Sequence, residues 1–304
     1  MLVDHRVGRI DRPHRAALGT AHLARRGAKR GVRHIIGRFA GRTNDTHADP
    51  CSIGLSCAQA WTDDNLPFRR GRQRWQIGGM IRLEGISVRY GRDPAGGLAL
   101  DGLDLVLPQG GVAFVTGPPG AGKTTLLDLL HLAVAPSGGR AVVLEADLAT
   151  LDRDGRAALR RRTGRVFAPS RLLDAESVFD NVVLPLLLAG GQRRPDTRQR
   201  ADVAELLGWL GLAAKSAGPA RLLSLGERKL VEVARAVIAQ PALLLADAPT
   251  DGLDNECAEQ VMRLLWEMHL LGATTVIATN DVRWLGWKPA PVIRLAHGRR
   301  VDDG

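Results

Sequence analysis

The stretch Gly117-Pro-Pro-Gly-Ala-Gly-Lys-Thr124 decides how the chain is interpreted, because it fits the pattern G-x-x-x-x-G-K-[ST]. Just before it, Val112 to Thr116 is a short apolar run, typical of a strand that is buried on both faces. Just after it, Lys123 to Ala133 has the pattern of a helix. The glycines allow backbone amides to turn inward on an anion, and the helix N-terminus adds its dipole. The stretch therefore predicts a phosphate-binding loop.

The side chains of this loop indicate a nucleotide that is bound together with Mg²⁺. We expect Lys123 to reach the β- and γ-phosphates and Thr124 to offer its hydroxyl to the metal. Pro118 and Pro119 have no amide hydrogen. The amides that face the phosphate must therefore come from the residues that follow them, up to Thr124.

A second candidate site residue is the carboxylate that ends the apolar run Leu243-Leu-Leu-Ala-Asp247. An Asp at a strand end is often a helix cap. In chains with a phosphate-binding loop, an Asp at such a strand end helps to hold Mg²⁺. The presence of the loop favours the metal role for Asp247.

A third motif, Leu223-Ser-Leu-Gly-Glu227, precedes an amphipathic run. Ser224 and Glu227 have the S-x-x-E spacing of a capping box, which predicts the start of a helix. Such an N-terminus also presents free amides to an anion.

The order of the elements predicts an α/β fold with a mainly parallel core sheet. Ile81 to Tyr90 and Leu98 to Leu107 have strand patterns, the second clearly alternating, and predict an antiparallel β edge. Strands and helices then alternate as far as a last strand at Val292 to Leu295. Residues from about 170 to 240 are mostly helical, which predicts an inserted helical subdomain.

Composition excludes collagen-like, disulfide-scaffold and wholly disordered proteins, because 45% of the 304 residues are apolar and 24% are charged. The net charge of +10 is uneven. Residues 1–79 hold 15 basic and 6 acidic side chains, whereas residues 80–304 hold 27 and 26. The basic character belongs to the first quarter of the chain, so we expect no nucleic-acid partner for the rest.

Residues 1–79 are rich in Arg, Gly and His without a sustained period, which predicts a disordered basic extension. A basic arm for anionic lipid or nucleic acid is a second interpretation. A third is that translation begins at Met80, which opens a well-patterned strand. We therefore divide the chain into an extension, 1–79, and a domain, 80–304.

Cysteine usage and hydropathy favour a cytoplasmic protein. Cys51, Cys57 and Cys257 match no metal or disulfide spacing, which favours a reducing compartment. The sequence has no apolar run of the roughly 18 residues that a membrane span needs and no secretory signal. Such a protein can still dock on a membrane protein.

Together, these motifs resemble those of the ATP-binding subunits of ABC transporters, from Met80 to about Gly304. Gly117 to Thr125 is similar to the Walker A motif of that family, and Leu243 to Asp247 to its Walker B motif. Leu223 to Glu227 resembles the signature motif, and Asp251-Gly-Leu-Asp254 the D-loop.

The resemblance implies a P-loop NTPase fold, an ABC-type domain that binds ATP and Mg²⁺, and a homodimer that sandwiches the nucleotide. Tyr90 takes the place of the aromatic residue that stacks on adenine. The positions assigned to ATP binding are Tyr90, Gly117, Pro118, Pro119, Gly120, Ala121, Gly122, Lys123, Thr124 and Thr125. The metal positions are Thr124 and Asp247, and the signature positions that act on the partner's nucleotide are Ser224, Gly226 and Glu227.

Within the family, the ATP-binding subunits of the cell-division (FtsE) group are the most similar. The likeness lies in Met80-Ile-Arg-Leu-Glu84, Asp180-Asn-Val-Val-Leu-Pro-Leu-Leu-Leu-Ala-Gly190 and Ala234-Arg-Ala-Val237. Lipoprotein-release and macrolide-export ATPases share much of these segments. The resemblance implies an FtsX-like integral membrane subunit as partner and a peripheral position on the inner face of the cell membrane.

The departures from the family fall on its catalytic groups. Ala248 replaces the Glu that polarises the attacking water, Ala168 replaces a Gln, and Asn280 replaces a His. Leu225 replaces the first Gly of the signature, which predicts a weaker ATP sandwich. Because alanine can neither accept a proton nor orient water, we predict that hydrolysis is slow or lost.

Two alternatives remain open at this stage. One is an active ATPase for export or lipoprotein release, with Asp251 or Glu227 as an unconventional base. The other is a scaffold that binds no nucleotide.

Overall fold

The computed structural model describes residues 80–91 and 97–301. The predicted extension 1–79, with Cys51 and Cys57, and most of the turn predicted between Gly91 and Gly97 lie outside these residues.

The described residues form ten strands and seven α-helices, together with short 3₁₀ turns. The strands are β1 (Ile81–Arg89), β2 (Leu98–Leu107), β3 (Val112–Thr116), β4 (Gly138–Val143), β5 (Ala146–Asp147), β6 (Thr163–Val166), β7 (Leu243–Asp247), β8 (Thr274–Ala278), β9 (Val292–Ala296) and β10 (Arg299–Val301). The helices are α1 (Lys123–Leu130), α2 (Arg153–Arg161), α3 (Val178–Gly190), α4 (Thr197–Trp209), α5 (Leu225–Val237), α6 (Asn255–Leu270) and α7 (Val282–Leu285).

The larger sheet has six strands in the order β10-β9-β3-β8-β7-β6. Its strands from β9 to β6 are parallel, and β10 pairs antiparallel with β9. Every residue of β7 and β8 is buried, which explains why their sequences carry no alternation. The predicted parallel core sheet is confirmed.

The antiparallel strands form a sheet of their own, in the order β2-β1-β4-β5. The strand predicted near Ala141 to Leu144 is β4, which pairs with β1 and so belongs to this sheet. A hydrogen bond from the amide of Asp101 to the carbonyl of Gly298, at 2.9 Å, ties the smaller sheet to the β9–β10 turn.

Two apolar layers cover the two faces of the parallel sheet. Leu243 and Leu245 face the layer that contains α1 and the antiparallel sheet, whereas Leu244 and Ala246 face the layer that contains α3 to α6. This alternation follows from the two-residue period of a strand. The carboxyl ends of the parallel strands are thereby held between two packed layers.

Some element bounds differ from those expected from the sequence. The helix predicted over Lys123 to Ala133 ends at Leu130, because His131 is the C-cap and Leu132 has a φ of 60°. The elements β5, α7 and β10 have two to four residues, too few for a periodic pattern. Among the described residues, we find no helix with the length and apolarity that a membrane crossing requires.

Candidate nucleotide-binding site

The loop between β3 and α1 is held against its neighbours at two glycines. Gly117 has a φ of 149°, and a Cβ there would lie 2.1 Å from the carbonyl oxygen of Leu295. Gly122 has a φ of 100°, and a Cβ there would lie 2.5 Å from the carbonyl oxygen of Ala99. A side chain at either position would displace backbone, so these glycines fix the course of the loop.

The first turn of α1 has the properties of an anion site. Its N-cap is Gly122, which has no side chain to accept hydrogen bonds from the first amides of the helix. The Lys123 ammonium donates to the carbonyl oxygens of Gly117 at 2.6 Å and Pro118 at 3.0 Å. Positive charge and uncapped amides therefore lie at the same loop, which is the arrangement that binds phosphate.

Tyr90 lies beside this loop, at the end of β1. Its hydroxyl donates to Oγ1 of Thr125 at 3.3 Å, and Thr125 is buried in the first turn of α1. The tyrosine itself is 53% exposed. The hydrogen bond holds an accessible aromatic ring next to the loop, where a base can stack on it.

Asp247 ends β7 as expected, and its carboxylate is buried. Its nearest charged neighbour is Arg165 on β6, whose Nη2 lies 3.6 Å from Oδ2 of Asp247. The same Nη2 donates to Oδ1 of Asp128 on α1 at 3.0 Å. The sequence analysis missed Arg165 and Asp128. A charged residue inside the buried strand Thr163–Val166 was the available signal.

Comparison with known proteins decides the family. The family profile described as ABC transporter matches residues 100–251, which include the loop, Asp247 and the start of α5. The chain belongs to the ABC transporter family.

Three relatives in this family have different names and similar identities. The lipoprotein-releasing system ATP-binding protein LolD of Anaeromyxobacter dehalogenans is 38% identical over 226 residues, covering 74% of this chain and 93% of the relative. The cell division ATP-binding protein FtsE of Escherichia coli is 37% identical over 219 residues, with 72% and 96% covered. The methionine import ATP-binding protein MetN of Chromohalobacter salexigens is 37% identical over 204 residues, with 67% and 58% covered.

Solved ABC cassettes have the same fold. The dimeric structure of the bacterial ABC transporter cassette MJ0796 superposes with a TM-score of 0.67 at 27% identity, covering 73% of this chain and 97% of that one. A post-hydrolysis dimer of the same cassette, bound to ADP and Pi, gives a TM-score of 0.67 at 27% identity, with 74% and 98% covered. Both comparisons agree with the predicted ABC-type nucleotide-binding fold.

The three positions for which the sequence analysis predicted a loss of catalytic groups follow the carboxyl ends of three adjacent strands, β6, β7 and β8. Ala248 directly follows Asp247, with a φ of 42°, and its amide donates to the carbonyl oxygen of Ala278 at 2.9 Å. Asn280 is exposed, and its Oδ1 accepts from the amide of Gly117 at 3.4 Å. Ala168 is exposed in the loop after β6. None of these three side chains carries a carboxylate.

Residues 223–227, which resemble the ABC signature, form the predicted capping box at the start of α5. The Glu227 amide donates to Oγ of Ser224 at 3.3 Å, and the Ser224 amide donates to Oε2 of Glu227 at 3.0 Å. Oε1 of Glu227 pairs with Lys215, and this pairing holds the pKa of the carboxyl below its usual range. Leu225 is 58% exposed beside Gly252 of the D-loop.

The loop that carries Ala168 is fixed to the same helix. Nζ of Lys229 donates to the carbonyl oxygen of Phe167 at 2.8 Å and to Glu232 at 3.1 Å. Oε1 of Glu232 in turn accepts from the amide of Arg171 at 3.1 Å. This buried pair, three residues apart on α5, was also missed by the sequence analysis.

The residues of the site fit a magnesium ion. Mg²⁺ prefers oxygen ligands, which the Thr124 hydroxyl and the Asp247 carboxylate provide together with nucleotide phosphates. Oδ2 of Asp247 is buried and has no hydrogen-bond partner among the described residues, so it is free to accept. The ABC family binds ATP, normally with Mg²⁺. In the part of the chain that the structure describes, no group of three or more His, Cys, Asp or Glu side chains could hold a metal by itself.

Proposed function

We propose that this chain is the ATP-binding subunit of an FtsE-like membrane complex that acts in cell division, and that it binds Mg-ATP but hydrolyses it slowly or not at all. An FtsX-like integral membrane subunit is its partner at the inner face of the cell membrane. Two copies of the chain form a homodimer around the nucleotide. The three segments at 80–84, 180–190 and 234–237 support the FtsE role.

One contrast within the site carries the proposal. The loop, Lys123 and Asp247 keep the groups that hold a triphosphate, whereas Ala248 and Ala168 have lost the groups that act on water. Thr124 and Asp247 would hold the metal, which would offset the negative charge of the phosphates. A positioned base contributes about 10²- to 10⁴-fold to a hydrolytic rate, so its loss slows hydrolysis without removing binding.

An active ATPase for lipoprotein release is the second candidate, supported by the similar identity to LolD. It needs a replacement base. Glu227 is poorly suited, because both of its oxygens are engaged and its pKa is lowered mainly by Lys215. Asp251, which is exposed in the D-loop, is the remaining carboxylate of the two that we considered.

Binding and turnover of Mg-ATP, measured on the same sample of the full chain, test the proposal. We expect calorimetry to show binding that Lys123→Ala weakens, and phosphate release far below about 1 s⁻¹, the low end of ordinary enzymes. Ala248→Glu should raise the rate by about tenfold or more, since it restores a base. Ala248→Gln is the matched control, because it has the same size and the same positive φ but accepts no proton.

Turnover near 1 s⁻¹ in the unaltered chain would reject the loss of hydrolysis and favour the active ATPase. The absence of any binding heat would favour the scaffold that holds no nucleotide.

A further inference from the structure

Arg165 is a buried cation next to the Walker B carboxylate. It lies on β6 opposite Leu245 of β7, and its side chain is 3% exposed. Nη2 bridges Asp128 of α1, at 3.0 Å, and Asp247 of β7, at 3.6 Å. One guanidinium group thus joins α1, the helix that begins with the phosphate-binding residues, to β7, the strand that ends in the metal ligand.

The surroundings of Arg165 that the structure describes do not provide acceptors for all of its hydrogen-bond donors. Nε and Nη1 of Arg165 are buried and have no hydrogen-bond partner among the described residues. The guanidinium carbon lies 5.3 Å from the centroid of the Phe167 ring, which also contacts Arg171. Burial lowers the pKa of Arg165, and the two carboxylates oppose that effect, but an arginine remains charged at neutral pH.

Burying an ion pair of this kind costs free energy, because both charges lose their water. The attraction between the charges and further hydrogen bonds must compensate for that cost. Two carboxylates, Asp128 and Asp247, face one guanidinium, so the charges of the cluster are closely coupled. In ordinary P-loop sites, the divalent cation neutralises the charge between phosphates and the metal-binding carboxylate. Here part of that charge is already offset by a residue of the chain.

We infer that Arg165 serves as an internal cation at the Walker B carboxylate, so that this pocket binds nucleoside triphosphate with only a weak dependence on Mg²⁺. The inference rests on the nucleotide binding proposed above and concerns a positioning residue, not a group that reacts. With Asp247 partly compensated by the guanidinium that it shares with Asp128, the metal gains less from that carboxylate. The triphosphate also meets less uncompensated negative charge when the metal is absent.

The test is the affinity of the full chain for ATP, measured by equilibrium binding in excess Mg²⁺ and again in excess EDTA. We expect the unaltered chain to lose less than about tenfold in affinity without the metal. In Arg165→Met, the loss of ATP affinity on removing the metal should be at least about tenfold larger than in the unaltered chain. The reason is that the interaction between unit charges about 4 Å apart is strong inside a protein. Arg165→Lys, which keeps the charge, should stay close to the unaltered chain.

Arg235→Met is the matched control, because Arg235 is a largely buried arginine on α5 that pairs with Glu232 and donates to the Arg171 carbonyl. Equal dependence on Mg²⁺ in the unaltered chain and in Arg165→Met would overturn the inference. If Arg165→Met does not fold, the unaltered chain decides, and a loss of affinity of more than about tenfold in EDTA overturns the inference. No binding in either buffer would overturn the proposed function as well, whereas strong binding that requires Mg²⁺ would overturn only the role of Arg165.

Discussion

His131 shows what burial does to a single residue next to the site. It caps the C-terminus of α1, and its ring lies edge-on to Phe167 with centroids 6.0 Å apart. Burial, together with the nearby charge of Arg165, lowers the pKa of His131 from 6.5 to about 4. The folded chain therefore keeps this imidazole neutral at pH values where the unfolded chain protonates it.

The first prediction at this scale is a loss of stability in acid that depends on His131. Above its unfolded pKa of 6.5 the stabilising contribution is complete, and it is lost as the pH falls towards the folded pKa of about 4. At about pH 5 the loss amounts to about 2 kcal/mol. Urea unfolding at about pH 7.5 and about pH 5 should show this extra loss in the unaltered chain but not in His131→Gln.

The pair of measurements at about pH 7.5 separates the packing effect of His131→Gln from titration, because the imidazole is neutral in both states there. If the free energy of unfolding had the same pH dependence in the unaltered chain and in His131→Gln, the loss of stability in acid would not come from His131.

Residues of this kind mark the limit of sequence reasoning. The loop could be named beforehand from a motif with fixed spacing, Asp247 from the apolar run that it ends, and the three replaced positions from the family resemblance. Arg165, Asp128 and His131 belong to no motif. Their roles depend on the distance between β6, β7 and α1, which only the packed structure sets.

At the scale of elements, a local rule predicted the start of α5, whereas the predicted end of α1 was wrong. The S-x-x-E pattern at Ser224 gave the first turn of α5, because a capping box is made by residues three apart. The end of α1 was predicted three residues too late, since the positive φ of Leu132 has no signal in a single sequence. The register of β4 with β1 was also hidden, because it depends on contacts between distant residues.

The capping box at Ser224 stabilises the start of α5. Ser224→Ala removes the acceptor for the Glu227 amide and should lower the free energy of unfolding by about 1 kcal/mol. Ser177→Ala, which removes the same kind of cap from α3, should cost about the same. Denaturant unfolding measures both, and the family resemblance adds that only Ser224→Ala should also weaken ATP-dependent dimerisation. A matching loss of dimer in Ser177→Ala would show that stability alone is responsible.

At the scale of the whole molecule, the fold class followed from the order of strands and helices, and the two apolar layers explain why. β3, β7 and β8 give alternate residues to each layer, so apolar residues occupy consecutive positions along each of them and mark them as buried strands. The antiparallel strands were expected as an edge but form a separate sheet. An alternating pattern fixes which face of a strand is buried, but not which sheet the strand joins.

At the scale of the whole molecule, a substitution at Leu225 tests how two copies of the chain form a dimer. The Leu225 side chain is exposed at the first turn of α5 and lies beside Gly252. If that face meets the nucleotide of a second copy, a bulky side chain there holds the two copies apart. Leu225→Ala should therefore increase the fraction of dimer at a given ATP concentration by at least a few-fold, measured by light scattering after gel filtration.

Leu188→Ala is the matched control for this last prediction, because Leu188 is a similarly exposed leucine, 62% against 58%, on the helix α3. Both substitutions remove the same exposed apolar surface, so a non-specific hydrophobic association would weaken equally in the two variants. A rise in dimer confined to Leu225→Ala and dependent on ATP would place the second copy against the signature turn. The same dimer fraction in both variants would mean that the bulk of Leu225 does not oppose assembly.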